Sequence, residues 1–267
     1  MTNELTNNQS LDRADAVLNA LSKGRPMRVS EISQSAGIGQ STTSRMLSAL
    51  EHLGYVERNP DTGLYELGMT LLSFAGAALN AHPVHRYARQ PAQNLAATLG
   101  LGANVAILRG DELFYLCNFE GRLSPKFFSL MGQRNPLHAT AMGKCLLVGL
   151  NSGQRRALLP ELRRFTPNTL TTHEELDEAI NLIAETGYST EREELALGRT
   201  CLAAPIFDQN GSVAAAISIS GPLSALDLPN RESEISRIAI EVADSISSGL
   251  GYMGPASDQE NATVSGA

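Results

Sequence analysis

The sequence predicts an α+β protein in two parts, an N-terminal winged helix-turn-helix and a C-terminal antiparallel sheet flanked by helices, with an apolar linker helix between them. Three observations carry this. The 267 residues are just under two domains at roughly 150 residues each. The first eighty residues hold a helix–glycine–helix pattern followed by two short strands around a Pro/Gly turn. Beyond His85, short strands joined mainly by hairpins sit between helices at both ends, the pattern of an α+β domain.

In chain order, Leu11, Ala14, Val17, Leu18 and Leu21 recur at three- and four-residue spacing and form one apolar helix face. Ser10 is its expected N-cap, and Gly24 with Pro26 its stop. A second helix, about Val29 to Ala36, buries Ile32 and Ala36, and Gly37 supplies a left-handed turn. A third runs from about Gln40 to Leu53 with Thr43, Met46, Leu47, Leu50 and Leu53 inward. Two helices joined by a short turn containing Gly are the helix-turn-helix arrangement. The outward face of the third helix holds Ser41, Arg45, Ser48 and His52. Gln40, Ser41, Thr42, Ser44 and Arg45 occupy its first turns, which approach base edges in such helices.

Tyr55-Val56-Glu57-Arg58 and Leu64-Tyr65-Glu66-Leu67 then flank a Pro/Gly turn, giving a hairpin wing. Arg13 and Arg58 join the candidate DNA contacts, and Arg25 and Arg28 are placed to converge with them. The first eighty residues hold six basic and eight acidic residues, and the whole chain has a net charge of −7. Charge alone favours a protein-binding scaffold, because phosphate contacts need clustered Lys and Arg. The order of turn, recognition helix and wing favours DNA.

Met69 to Ala81 is apolar nearly all round and too short to span a bilayer. Such a helix has to be buried, either within the chain or against its twin in a dimer that reads paired half-sites. Pro83 ends it. A helix over Tyr87–Leu99 follows, then strands near Ala103–Arg109, Leu113–Asn118 and Lys126–Met131. Further helices are expected over Thr140–Leu150, over Glu174–Thr186 after a Thr172 cap, and over Arg231–Leu250. Strands Cys201–Asp208 and Ser212–Ser220 flank Gln209-Asn210-Gly211. Residues 253–267 read as a disordered tail.

The last hairpin is the informative one. Strand side chains alternate faces, so Ser218 and Ser220 point the same way. A four-residue loop sets Cys201 opposite Ser218, and a two-residue Asn210-Gly211 turn sets it opposite Ser220. Either register puts all three polar groups on one face, and a three-residue loop breaks it. Such a face can orient a small polar ligand or can simply be satisfied by backbone. Thr140-Ala141-Met142-Gly143-Lys144 opens a helix whose unpaired N–H groups suit a carboxylate. Glu191, Glu193 and Glu194 read as a solvated acidic loop.

Several classes are excluded. His138 and Cys145 stand where a phosphate loop needs Gly and Ser or Thr, and there is no G-x-S-x-G elbow. The three cysteines are scattered and odd in number, with no C-x-x-C pair and no H-x-x-x-H pair, so neither disulfide framework nor metal site is expected. No cofactor and no catalytic set is expected. The polar start of the chain has no signal-peptide core, and no run is long enough for a membrane span, so a cytoplasmic protein without membrane partners is expected.

Taken together, the chain resembles the IclR family of bacterial transcription regulators over about Leu11 to Gly251. The resemblance rests on Gly39-Gln-Ser-Thr-Thr-Ser-Arg-Met-Leu47 with Leu53-Gly-Tyr-Val-Glu-Arg58, and on Pro136-Leu-His-Ala-Thr-Ala-Met-Gly-Lys144. Gly187-Tyr-Ser-Thr-Glu-Arg-Glu-Glu194, Cys201-Leu-Ala-Ala-Pro-Ile206 and Ala216-Ile-Ser-Ile-Ser-Gly-Pro222 complete the set. It implies a winged helix-turn-helix over 10–68, a linker and dimerisation helix over 69–84 and a GAF-like effector domain over 85–252. It also implies a double-stranded DNA operator, a small organic or aromatic acid (or its amide-like derivative) as effector, and homodimers that often assemble into tetramers. Carried over by motif, the effector pocket comprises Ala141 and Met142 at a helix N-terminus, Glu191 from the acidic loop, and Cys201, Ser218 and Ser220 from the sheet. Phe127 forms an apolar wall. The family usually has a basic residue where Gln40 stands, a larger residue where Ser44 stands, and Arg directly before the pocket cysteine, where this chain has Thr200 after Arg199. The rival readings are an enzyme with Cys201 as nucleophile and an interaction module that has lost DNA binding.

Overall fold

The computed structural model describes residues 9–125 and 128–254. Internal contacts divide the chain between Ala81 and His82, and each unit is described by itself.

In the first unit, helices α1 (Gln9–Leu21), α2 (Val29–Ala36) and α3 (Gln40–His52) precede a wing of β1 (Val56–Arg58) and β2 (Tyr65–Leu67). Helix α4 (Thr70–Ala81) follows. Val17, Leu21, Met27, Ile32, Leu47, Leu50, Val56 and Tyr65 form its core. Met27 and Tyr65 exchange backbone hydrogen bonds of 2.9 and 2.8 Å, which ties the segment before α2 to the wing. Gly37 ends α2 at φ 66°, a left-handed conformation that costs a side-chain-bearing residue about 1–2 kcal/mol. Ser33 Oγ and Thr43 Oγ1 donate to the turn carbonyls of Ile38 and Gly39.

Three expectations are corrected here. Ser10 lies inside α1 and does not cap it. Leu11 is 67% exposed, and only Val17 and Leu21 of that stripe are buried. Leu53 is 55% exposed, since α3 has ended and Leu53 is its cap. No residue of α4 is buried in the single chain, although Phe74 packs on Tyr55 with ring centroids 5.8 Å apart.

The second unit is built on a six-stranded antiparallel sheet. Its strands are β3 (Gly102–Arg109), β4 (Glu112–Phe119), β5 (Arg134–Pro136), β6 (Ser189–Arg192), β7 (Arg199–Phe207) and β8 (Val213–Pro222). Their spatial order is β5-β4-β3-β8-β7-β6. Helices α5 (Pro83–Leu99) and α10 (Leu228–Gly249) pack on the sheet. So do α6 (Ala141–Leu146) and α8 (His173–Thr186), whose residues join Ala106, Ala203 and Ala216 of the sheet in one apolar cluster. Two short helices, α7 (Ser152–Leu158) and α9 (Leu223–Leu226), complete the unit.

Pro83 opens α5 four residues earlier than expected, since proline is well suited to the first helical position. Residues 128–131 are not a strand. There the Leu130 N–H is taken by the Asn118 side chain at 3.0 Å, and β5 pairs with β4 in place of the expected strand. Lys126 and Phe127 lie outside the described residues. Helix α6 stops at Leu146, and β6 and α7 were not anticipated. Asn151 and Gln154 cap the start of α7 reciprocally, each accepting the other's N–H at 2.9 Å.

The last hairpin resolves the register. Cys201 pairs with Ser220 and Ala203 with Ser218. The loop has three residues, Gln209 to Gly211, closed by Asp208 N–H to Ser212 O at 2.9 Å. That length alone would invert the face. A bulge restores it: Ile206 pairs with Ala215 but Phe207 with Val213, leaving Ala214 as the extra residue.

Candidate functional site

The first surface is the outward face of α3. Thr43, Leu47 and Leu50 point into the core, and the helical repeat therefore leaves Gln40, Ser41, Ser44 and Arg45 exposed with Thr42 half-buried. No acid lies in its first turn. Among the described residues Arg45 has no ion-pair or hydrogen-bond partner. Arg13 is exposed and donates to Gln9 Oε1 at 3.3 Å. Arg58 is exposed on the wing, its guanidinium 5.5 Å from the Tyr65 ring centre. Arg25 differs, since it is paired with Glu31 at 3.1 Å. Small hydroxyls, one amide and guanidinium groups are the donors that base edges and phosphates accept.

The second is a cavity of about 530 Å³ on the α6 side of the sheet. Ala141, Met142, Glu191, Cys201, Ser218 and Ser220 all line it. Phe127 lies outside the described residues, and the neighbouring Phe128 is part of the lining. The register brings the polar groups together: Glu191 is opposite Cys201, Cys201 opposite Ser220, and Asn104 opposite Ser218. Thr140 caps α6, accepting the Gly143 N–H at 3.1 Å and donating to Pro136 O at 2.9 Å. A Cβ on Gly143 would strike the Leu137 backbone. The glycine thus lets α6 press against the preceding segment, and Ala141 and Met142 of its first turn line the cavity.

The acidic run is not a solvated loop. Glu191 is 4% and Glu194 8% exposed. Glu191 belongs to β6, and its Oε1 accepts the N–H groups of Glu194 (2.5 Å) and Leu195 (3.2 Å). Burial raises its carboxyl above the ordinary carboxylate range, against the pull of those two N–H groups. Glu194 is paired with Lys144 at 2.7 Å in the interior. Thr166 and Thr169 donate to the carbonyls of Glu193 and Glu194 at 2.6 Å each. Local sequence carries no trace of these partners, which are distant in the chain.

Other lining residues were missed. Asn104 is 2% exposed, a lone amide in the apolar run from Ala103 to Leu108, and that break in pattern was a readable signal. Arg199 shares the face of Cys201 by strand alternation and donates to Ser124 Oγ at 3.3 Å. The phenol of Tyr115 accepts from Asn135 Nδ2 at 3.0 Å, and burial pushes its pKa up to about 12. The buried Cys117 and Cys145 thiols are likewise pushed up to about 12, so both stay protonated at neutral pH. Among the described residues no group of three or more His, Cys, Asp or Glu is placed to hold a metal ion. Nor is any helix there long and apolar enough to cross a membrane.

Comparison with known proteins accounts for both units. Residues 10–60 match the IclR helix-turn-helix domain, and residues 76–248 match the bacterial transcriptional regulator IclR C-terminal domain. The HTH-type transcriptional regulator XynR of Escherichia coli K12 is 31% identical over 250 residues, covering 91% of this chain and 98% of XynR. The HTH-type transcriptional repressor AllR of the same strain is 34% identical over 221 residues, 82% of each chain. An IclR homologue from Microbacterium hydrocarbonoxydans, solved in complex with 4-hydroxybenzoate, has a TM-score of 0.80 at 25% identity and covers 90% of this chain and 98% of its own. Helix-turn-helix and sheet domain are both accounted for by one family, and the chain belongs to the IclR family of bacterial transcription regulators.

Proposed function

We propose that this regulator binds operator DNA as a homodimer in the cytoplasm and is controlled by a small hydroxylated organic or aromatic acid held in the sheet-domain cavity. Gln40, Ser41, Thr42, Ser44 and Arg45 enter the major groove, with Arg13 and Arg58 on the backbone. The exposed apolar helix α4 is the seam between two copies, which sets the half-site spacing. The acid's carboxylate takes the N–H groups of Ala141 and Met142 and the hydroxyls of Ser218 and Ser220. Its donor end meets Glu191, and Phe128 contributes an apolar wall. The pocket binds and does not turn over its ligand.

The observation that carries this reading is the convergence of two serine hydroxyls and a helix N-terminus on one cavity of about 530 Å³. That volume lies within the roughly 300–1,000 Å³ of small-molecule sites. The structural relative solved with 4-hydroxybenzoate supports an aromatic acid as the class. The test is calorimetry with 4-hydroxybenzoate and a panel of small carboxylates. Ser220→Ala is expected to weaken binding by about 1.5–3 kcal/mol for a hydrogen bond to a charge. Wild-type affinity in Ser218→Ala, Ser220→Ala and Glu191→Gln alike would remove the pocket from the reading.

A further inference from the structure

The two serine hydroxyls of the cavity are held in one polarity by residues behind them. Ser218 and Ser220 are 2% and 4% exposed. Their Oγ atoms accept hydrogen bonds from Asn104 Nδ2, at 3.4 and 3.2 Å. Among the described residues neither hydroxyl has an acceptor for its own proton.

The direction of the Asn104 amide is dictated from further back. Asn104 Oδ1 accepts from Asn118 Nδ2 at 2.8 Å. Asn118 Oδ1 accepts the Leu130 backbone N–H at 3.0 Å, and a backbone N–H only donates. The Glu120 carboxylate takes the other Asn118 Nδ2 proton at 2.9 Å, and an ionised carboxylate only accepts. Both anchors hold the Asn118 amide with its NH2 group toward Asn104. Asn104 must then present its own NH2 group to the serines. One lone pair on each Oγ is occupied, and each buried O–H is left to donate into the cavity.

We propose that the Asn118–Asn104 relay sets the specificity of the site by holding Ser218 and Ser220 as a pair of donors, so that the cavity selects a carboxylate over an amidine of the same shape. The inference rests on the cavity being the effector site. Asn118 does not line the cavity, so it acts as a positioning residue and not as a ligand contact. Arg199, in the lining, works in the same direction. The Glu191 carboxyl is engaged by the N–H groups of Glu194 and Leu195.

The relay can be reversed without altering shape. Asn118→Asp keeps an acceptor for Leu130 N–H but replaces the donor facing Asn104. The Asn104 amide then turns over and offers Oδ1 to the serines, whose protons turn back to it and leave lone pairs facing the cavity. Asn104→Asp has the same effect from inside the sheet, and Asn118→Ala only releases the relay. Calorimetry on the full chain with 4-hydroxybenzoate and 4-hydroxybenzamidine reads the outcome, with circular dichroism to verify folding. Wild type is expected to bind the acid in preference. Asn118→Asp should lose roughly 10- to 100-fold in acid affinity, the scale of a hydrogen bond to a charge, and should gain the amidine. Asn118→Ala should lower the acid-over-amidine ratio without reversing it. An unchanged ratio in a folded variant overturns the relay and leaves the cavity reading standing, as does a wild type that prefers the amidine. If the wild type binds neither probe nor any acid of a small carboxylate panel, the cavity reading falls and the relay with it.

Discussion

Arg45 is the only lysine or arginine in α3, and it stands exposed without a partner among the described residues. Arg45→Ala is expected to cost about 1–3 kcal/mol in operator binding if it reads a base, or to lower the salt slope by about one if it meets phosphate. Titrations at several salt concentrations decide between them, and no change in either quantity would displace α3 from the groove. Glu191 gives a stability prediction. Its folded-state carboxyl titrates above the ordinary value because it is buried. The resulting stability is fully present below the ordinary carboxylate pKa and is lost as pH rises through the raised one. Glu191→Gln keeps an acceptor for the N–H groups of Glu194 and Leu195, so it should stabilise the ligand-free protein at neutral pH. The gain over wild type should vanish in acid, as denaturant melts across pH would show. At this scale the sequence was legible where strand parity governs. Ser218 and Ser220 could be set on one face because alternation is strict, whereas Cys201 joins them across a three-residue loop only through the Ala214 bulge, which the sequence did not announce. Burial of Glu191 was not legible, since its carboxylate is satisfied by the N–H groups of Glu194 and Leu195 beyond a turn, and the run that carries them is held by Thr166 and Thr169 far back in the chain.

Helix α4 is apolar, yet Leu72 and Phe74 are 63% and 55% exposed in the single chain. If it is the dimer seam, Leu72→Glu or Leu79→Glu should dissociate the protein and weaken binding to paired half-sites more than to a single one. Sedimentation of folded variants that remain dimeric would move the seam elsewhere. Helix α6 gives a second test. Gly143→Ala should destabilise by about 1–3 kcal/mol through overpacking against Leu137, measurable as a lower denaturant midpoint. Among elements, helix-turn-helix, wing and the last hairpin were legible from local chemistry, with Gly37, the Pro/Gly turn and Asn210-Gly211 marking their bends. Strand β5 was not, because its three residues, Arg134–Pro136, are too few to show an alternation. Helix α7 was hidden because seven residues are too few to show a period.

Across the whole molecule, family membership was legible from ordered motifs, while the effector was not, because its chemistry is divided among distant strands. Saturating effector should stabilise the sheet domain, and at about 100 times its Kd the gain is roughly 2.7 kcal/mol. Thermal melts should show the shift in wild type and a smaller one in Ser220→Ala at the same ligand concentration. The bulge at Ala214 turns the hairpin into a rule about permissible chain length. Three loop residues plus one bulged residue keep Ser218 and Ser220 toward the cavity. Removing either alone shifts β8 by one place and swaps Ile217 and Ile219 into their position. Gains or losses of two residues restore the parity. Relatives that keep a serine pair in this position should therefore vary in hairpin length by even steps, whatever acid they have come to recognise.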